Sequence, residues 1–331
     1  MFDNFVKYAI DRGGSIKPLL IDPQLTNGLG LMNPSVYVDD DERIVVNIRS
    51  VNYTLYNCEI SDYDHIWGPL VYIHPEDDLR LKTKNYISIL NENLDTVRTH
   101  WVDTSGFDKK PIWEFVGLED ARLVKWDNKY YMTGVRRDVN TVGCCRMDLS
   151  EVEISDDCVK EVKRMRVPTP SRRQSYCEKN WMPVLDMPYH YVKWGNPVEV
   201  VKYDIETNTT ETVTCSDFDP SVDRDLRGGS QAIPYKDGHV GIHHITRMRK
   251  NIADRRDGRY THEFAYWDKD WNTVKRSDEF SFLSAKVEFC CGMVEYRDSY
   301  LITFGFMDNA AYILRVPKFA LEEFINESRS N

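Results

Sequence analysis

Residues Gly117 to Arg122 read Gly-Leu-Glu-Asp-Ala-Arg and stand directly ahead of an apolar run that must be a strand entering a turn. Charge at such a place is costly unless it is paired or used. A carboxylate flanked by another acid and a guanidinium can move a proton, so Asp120 is the candidate catalytic residue, with Glu119 and Arg122 beside it on the substrate. Four other clusters have a similar make-up. Asn33, Arg49, Asn52 and Tyr53 form one, and Lys179, Asn180 and Trp181, preceded by Glu178, form a second. Gly228, Gly229, Ser230 and Gln231, with His243, His244 and Arg247 across the next hairpin, form a third, and Glu288 with Asp308 the fourth. Arg136 and Arg137 close the hairpin that Asp120 opens.

This set suits sugars and phosphates. Amides, carboxylates and Arg grip hydroxyls in pairs, Trp181 offers a stacking face, and Lys and Arg neutralise phosphate oxygens. The substrate-binding candidates are therefore Asn33, Arg49, Asn52, Tyr53, Glu119, Arg122, Asn180, Trp181, Gly229, Ser230, Gln231, Glu288 and Asp308. The phosphate-binding candidates are Arg136, Arg137, Lys179, His243, His244 and Arg247. Other chemistries fit less well. His243 and His244 are adjacent on a strand and point to opposite faces, so they cannot share a metal, and no metal or other cofactor is expected. No serine sits in a Gly-x-Ser-x-Gly elbow and no Gly-rich loop precedes a helix. The Asp-x-Asp triplets follow no convincing strand, which speaks against a metal-dyad transferase. Inverting hydrolysis needs a second carboxylate to activate water, whereas an attacking phosphate is already anionic and needs cations instead. The cation-rich set leans toward phosphate.

The elements that must position these groups are mostly strands: short runs of Val, Ile, Tyr, Phe and Thr broken by Asp, Asn and Gly. One unit recurs, consisting of a polar cluster, a strand, a turn and a second strand, often followed by Arg or His. Its five copies begin near Leu31, Gly117, Cys177, Arg227 and Glu288. Helical periodicity is clear only at the end, where Leu321 and Ile325 are four apart after Pro317. The expectation is an all-β chain, a single five-bladed β-propeller domain spanning 1–331 with a C-terminal helix over 318–329. Its blades lie near 31–56, 117–150, 177–210, 227–270 and 288–317. A pair of β-sandwiches is the competing arrangement. A propeller brings the equivalent strand starts to one end of its axis, turning separate clusters into one pocket, while sandwiches would scatter them.

Composition sets the bounds. The chain has 331 residues, 41% apolar and 12% aromatic, enough for a large core. No apolar stretch is long enough to span a membrane and no signal peptide is evident, so the expected location is cytoplasmic. The eight cysteines lack disulfide or zinc spacing and read as small buried apolar residues. The net charge of −10 disfavours general nucleic-acid or anionic-membrane binding. Two basic segments, Lys163–Arg173 and Arg247–Arg259, nonetheless leave room for an anionic ligand.

The residues from Gly117 to Arg137 resemble the Gly-x-Glu-Asp-Pro-Arg strand motif of glycoside hydrolase family 130, five-bladed propellers that act on β-mannosides with inversion, as phosphorylases or hydrolases. The Asn-Pro segment from Asn33 to Arg49, the Lys-Asn-Trp segment at Lys179, the Gly pair leading to His243 and His244, and the Cys-Gly segment running to Asp308 resemble the family's other motifs in order, over residues 31–317. The resemblance implies that Asp120 is the general acid, that Arg49 and Asp308 hold the reacting sugar and that Lys179 contacts phosphate. One of His243 and His244, with Arg136 or Arg137, would lie on the phosphate side. Ala121 replaces the usual Pro, and Ser230-Gln231 replace the residues after the Gly pair, changes that bear on donor and acceptor more than on fold.

The expected function is inverting glycosyl transfer by a glycoside phosphorylase or sugar-phosphate-dependent glycosyltransferase of mannoside type. Its substrates would be a small molecule or oligosaccharide together with inorganic phosphate or a sugar phosphate. The alternatives are a nucleotide-sugar-dependent glycosyltransferase acting on a polymer, with nucleic acid such as modified viral DNA as one acceptor, and an inverting hydrolase using Glu178 or Glu288 as base. A carbohydrate-binding propeller without activity is the non-enzymatic reading.

Overall fold

A computed structural model describes residues 2, 4–56, 71–73, 80–138, 144–169, 178–222, 226–250 and 256–327. The chain opens with helix α1 (Phe5–Ile10), whose first turn is capped by the Asn4 side chain accepting from the Lys7 amide at 2.8 Å. Strand β1 (Ser15–Pro18) and a single helical turn, α2 (Pro23–Thr26), follow. The first blade is β2 (Gly30–Val38), β3 (Ile44–Val51), β6 (Leu81–Leu90) and β7 (Thr96–Asp103); between β3 and β6 the short strands β4 (Thr54–Tyr56) and β5 (Val71–Ile73) pair with each other. A two-residue strand, β8 (Phe115–Val116), lies parallel to the start of β6. The second blade is β9 (Glu119–Trp126), β10 (Lys129–Arg136), β11 (Arg146–Ile154) and β12 (Val159–Arg166). The third is β13 (Met182–Pro183), β14 (His190–Gly195), β15 (Val198–Asp204) and β16 (Thr209–Cys215). The fourth begins with two short strands, β17 (Leu226–Gly228) and β18 (Ile233–Tyr235), both paired to β19 (Gly238–Lys250), and continues with β20 (Arg256–Trp267) and β21 (Thr273–Arg276). The fifth is β22 (Glu288–Tyr296), β23 (Ser299–Phe306) and β24 (Ala310–Pro317), with β1 completing it alongside β24. Helix α3 (Lys318–Glu327) ends the described chain. The fold is an all-β, five-bladed propeller with a C-terminal helix.

Local chemistry explains the hairpins. Between β9 and β10 the turn is Asp127-Asn128, both with positive φ (49° and 61°), the short two-residue geometry that Asp and Asn tolerate best after Gly. The strands have the alternation that sheets packed on both sides require: Val124, Trp126 and Tyr131 pack toward the third blade, while Leu123 and Met132 pack toward the first. The outer strands β6 and β7, which widen the first blade well past residue 56, and the closing strand β1 were not anticipated from sequence. The N-terminal helix also went unread. Its Phe5 and Tyr8 pack on Phe324 of α3 in one cluster with the fourth and fifth blades.

The blades are tied together at the axis by one side chain. Gln231, fully buried, donates through Nε2 to the carbonyls of Val36 and Leu123 (each 2.9 Å) and to Ser35 Oγ (3.2 Å), and its Oε1 accepts from the Met293 amide at 2.8 Å. A residue of the fourth blade thus bonds to the first, second and fifth.

Candidate functional site

The starts of the inner strands converge on a cavity of about 320 Å³. Asn33, Arg49 and Tyr53 come from the first blade, Glu119, Asp120 and Arg137 from the second, and Lys179 and Asn180 from the segment before the third. Arg227, His244 and Tyr260 come from the fourth and Phe289 and Asp308 from the fifth. Four of these, Asn33, Asp120, Asn180 and Asp308, hold φ between 46° and 61°. Asn and Asp accept this left-handed conformation more readily than other side-chain-bearing residues, and such positions gather at functional sites. Two of them sit in bulges: the β2–β3 register slips between Met32 and Ser35 around Asn33, and the β9–β10 register slips around Asp120. The second bulge needs Gly134 opposite, since a Cβ there would lie 2.5 Å from the Glu119 carbonyl oxygen. The bulge turns the Asp120 carboxylate out of the sheet and into the cavity.

Asp120 is clamped. Its Oδ1 accepts from Arg49 Nη1 at 2.7 Å and from the Asn33 amide at 2.8 Å, while Arg122 donates to the Asp120 carbonyl at 2.7 Å. Burial alone would raise its pKa, but Arg49, Arg122, Asn33 and Lys179 outweigh that and hold it at about 2. Burial pushes Asp308 the other way, up to about 6, with the nearby Asp120 charge adding to the rise and Arg49 opposing it. Two carboxyl groups in one cavity are thereby set far apart, one ionised and one ready to carry a proton near neutrality. Arg49 also donates to the Tyr53 hydroxyl at 2.6 Å and to Thr83 Oγ1 at 3.1 Å. Glu119 stands between two guanidinium groups, 3.8 Å from Arg49 and 3.6 Å from Arg137, and Arg137 lies over the Phe115 ring. His244 donates Nδ1–H to the Gly228 carbonyl at 2.9 Å; burial and the positive charges around it keep it neutral, so Nε2 is a lone-pair acceptor. Its ring stacks on Tyr260 and meets Phe289 edge-on.

The two adjacent pairs left open by sequence are separated by strand alternation. Arg137 and His244 reach the cavity, whereas Arg136 and His243 do not. Arg136 is buried on the other face of β10, bonded to Asp148 at 3.0 Å. His243 is fully buried, its ring edge-on to Trp267 and packed against Gly195 of the third blade.

Other expected residues also lie off the cavity. Trp181 is a core residue packed on Tyr191, not a stacking platform. Ser230 and Gln231 are fully buried in bonds that join strands and blades. The Gly pair allows close packing, since a Cβ on Gly228 would overlap the Asn180 carbonyl and one on Gly229 the Ile242 carbonyl. Glu288 accepts three backbone amides, from Phe282, Leu283 and Ala285, at 2.6 to 2.9 Å, and Glu178 is buried near Lys193. Neither glutamate lines the axial cavity. Asn52 bridges to the Arg80 carbonyl and the Lys82 amide, and Arg247 pairs with Glu279. Arg122 lies just beneath the cavity, bonded to the Gly229 carbonyl at 2.9 Å and facing Phe289. Arg227 and Tyr260 were missed: Arg227 immediately precedes the Gly pair, and Tyr260 sits on the partner strand of His244. Of the basic segments, Arg172, Arg173 and residues 251–255 lie outside the described residues, and Arg164 is paired with Glu161 and Asp108. Among the described cysteines Cys145, Cys290 and Cys291 are buried, but Cys158 and Cys215 are exposed, correcting the uniform reading; Cys58 and Cys177 lie outside the described residues. Among the described residues no helix is long and apolar enough to cross a membrane.

No family model and no curated protein matches the chain by sequence. Solved structures match it over nearly its whole length. A β-1,2-mannobiose phosphorylase from Listeria innocua, in complex with β-1,2-mannobiose, superposes with a TM-score of 0.55 at 13% identity, covering 93% of this chain and 96% of that one. The fold is that of the family 130 propellers. A structure from work on that family's mannoside phosphorylases, and on the hydrolases among them that target β-1,2 mannosidic linkages in Candida mannan, has a TM-score of 0.55 at 16% identity, covering 88% and 85%. A glycosyl hydrolase from Bacteroides ovatus matches with the same TM-score and coverage at 13% identity.

Proposed function

We propose that this protein is a carbohydrate-active enzyme that transfers a glycosyl group between a β-linked mannoside-type glycoside and phosphate with inversion, as a glycoside phosphorylase. The observation that carries the reading is the charge layout of the axial cavity. The clamped Asp120 faces a wall that includes Lys179, Arg227 and the neutral His244. In the phosphorolytic direction phosphate attacks the anomeric carbon, the glycosidic bond breaks, and the departing oxygen takes a proton from Asp120. Asp120 is ionised before phosphate arrives, so the proton it gives up is one taken from the incoming dihydrogen phosphate, whose negative charge beside Asp120 favours the protonated form. In the synthetic direction the ionised Asp120 accepts the proton of the attacking hydroxyl as the sugar phosphate leaves. Lys179 and Arg227 balance the phosphate charge, His244 Nε2 accepts from a protonated phosphate oxygen or sugar hydroxyl, and Arg49 and Asp308 hold the sugar. A hydrolase is less well supported, because the glutamates that would have activated water are bound into the fold.

The test is incubation with β-1,2-mannobiose with and without inorganic phosphate. The expected result is phosphate consumption matched one for one by a mannose 1-phosphate of inverted configuration; equal turnover without phosphate would refute the proposal. Asp120→Asn keeps the acceptor oxygen that Arg49 and Asn33 bind and should lose about 10²-fold or more in turnover while remaining folded.

A further inference from the structure

A second cavity, of about 340 Å³, opens where the first and second blades part. Strand β7 pairs with β6 as far as Trp101 and Tyr86, then leaves it so that Val102 and Asp103 run parallel to Val159 and Lys160 of β12. On the other side, β8 pairs with β6 only at its first two residues, Leu81 and Lys82. The gap left along β6 is the cavity, and it is separate from the axial one. Phe115, Glu119 and Arg137 line the axial cavity, while Gly117, Leu118, Arg136 and Asp138 line this one, so a single wall stands between the two.

Its wall combines three features. Trp101 is 52% exposed, among the largest aromatic surfaces that the described residues leave in solvent. Val102, Leu118 and Met132 add an apolar lining. Arg136 and Asp138 are buried, and each carries a polar atom, Nη2 and Oδ1, with no hydrogen-bond partner among the described residues. Arg136 Nη2 is 3.9 Å from Glu161, too far for a hydrogen bond, and Asp138 uses its other oxygen to accept from the Gly117 amide at 3.2 Å. Buried polar atoms in native proteins are rarely left unmet, and each costs free energy until something bonds to it. Four cationic and three anionic side chains line the cavity, so its charges nearly cancel and it does not select an anion.

From these features we infer that the cleft is a second saccharide site, taking one pyranose ring of a neutral glycan. Such a ring has an apolar C–H face to lie against Trp101 and neighbouring hydroxyls that both donate and accept, matching Asp138 Oδ1 and Arg136 Nη2. The inference rests on the carbohydrate reading of the axial cavity for its ligand class but uses none of the same side chains. The site holds a glycan away from the reacting centre and raises the local concentration of chain ends near it.

Calorimetric titration of the full chain with β-1,2-mannobiose and with cellobiose tests this, using wild type, Trp101→Ala, Asp138→Asn and Lys179→Ala. Two binding events per chain are expected with at least one of these sugars. Trp101→Ala and Asp138→Asn should each weaken one of them about ten-fold or more, leaving kcat and KM on mannobiose plus phosphate unchanged, whereas Lys179→Ala should spare that event. Folded Trp101→Ala and Asp138→Asn proteins whose titrations superimpose on wild type would overturn the inference, as would a single event abolished by Lys179→Ala. Cleft binding without turnover would sustain the inference and sink the phosphorylase reading. Phosphate-dependent turnover with only the Lys179-sensitive event would do the reverse.

Discussion

Replacing Gln231 by Leu removes every bond that one amide makes across the propeller axis while keeping the side chain's branching and nearly its volume. The Met293 amide loses its bond to Oε1, and the carbonyls of Val36 and Leu123 lose their bonds to Nε2. An orphaned buried donor costs about 1–3 kcal/mol, and each of the two lost hydrogen bonds to an acceptor that keeps another lone pair about 0.5–1.5 kcal/mol, so the loss should be about 2–6 kcal/mol. With an unfolding entropy of about 2.1 cal/mol/K per residue, the 331-residue chain unfolds with roughly 0.7 kcal/mol/K. Tm should therefore fall by about 3–9 °C, measured by calorimetry or circular dichroism at pH 7. Gln231→Glu should behave worse above neutrality and recover in acid, because a protonated carboxyl can still donate one of the bonds the amide made. A Gln231→Leu protein melting within about 1 °C of wild type would refute the claim that this residue locks the ring, and would return it to the ligand site.

Arg136 and Arg137 should divide cleanly: Arg136→Met removes one of the two guanidinium partners of the buried Asp148, leaving Arg166 on its other oxygen, and should cost about 1.5–3 kcal/mol of stability in denaturant titration. Arg137→Met, whose guanidinium faces the axial cavity, should raise KM or lower kcat in the phosphate-dependent assay, an effect that its loss of stability in denaturant titration does not account for. For Asp308, the folded-state pKa of about 6 lies above the ordinary 3.8, so its protonated form stabilises the fold fully below about pH 4 and that contribution is lost as pH rises through 6. Asp308→Asn should flatten the stability profile across that window and gain about 1–3 kcal/mol on wild type at pH 8, read from urea midpoints.

The polar clusters were legible because each occupies the same phase of a repeated strand pair, and period-two alternation with β-turn chemistry is written in adjacent residues. What was not legible depended on partners far along the chain. Ser230 and Gln231 have the composition of a sugar site, and only the convergence of four blades shows their polar atoms to be spent on backbone. Trp181 looks like a platform until Tyr191 and the strands around it enclose it. Arg136 against Arg137 and His243 against His244 could not be separated from sequence, since alternation says that one of two neighbours faces inward but not which. Strand β1 is four residues with no apolar pattern of its own, and it becomes a strand only by pairing with β24. The positive-φ set of Asn33, Asp120, Asn180 and Asp308 was the one available signal left unused, since a recurring Asn or Asp at a strand boundary marks a bulge that aims a side chain.

The pairing of Ser15 with Arg315 sets the order of events during synthesis. Residues 15–18 leave the ribosome about 300 residues ahead of their partner strand, so the nascent chain must carry four blades and part of a fifth before the ring can close. The flanks of the first and fifth blades, rich in Ile, Leu and Phe, bury one another only on closure, which must bring together segments about 300 residues apart. A late, slow closing step is therefore expected from the position of one short strand. A permuted chain that begins after β1 and carries it behind β24 should remove that delay.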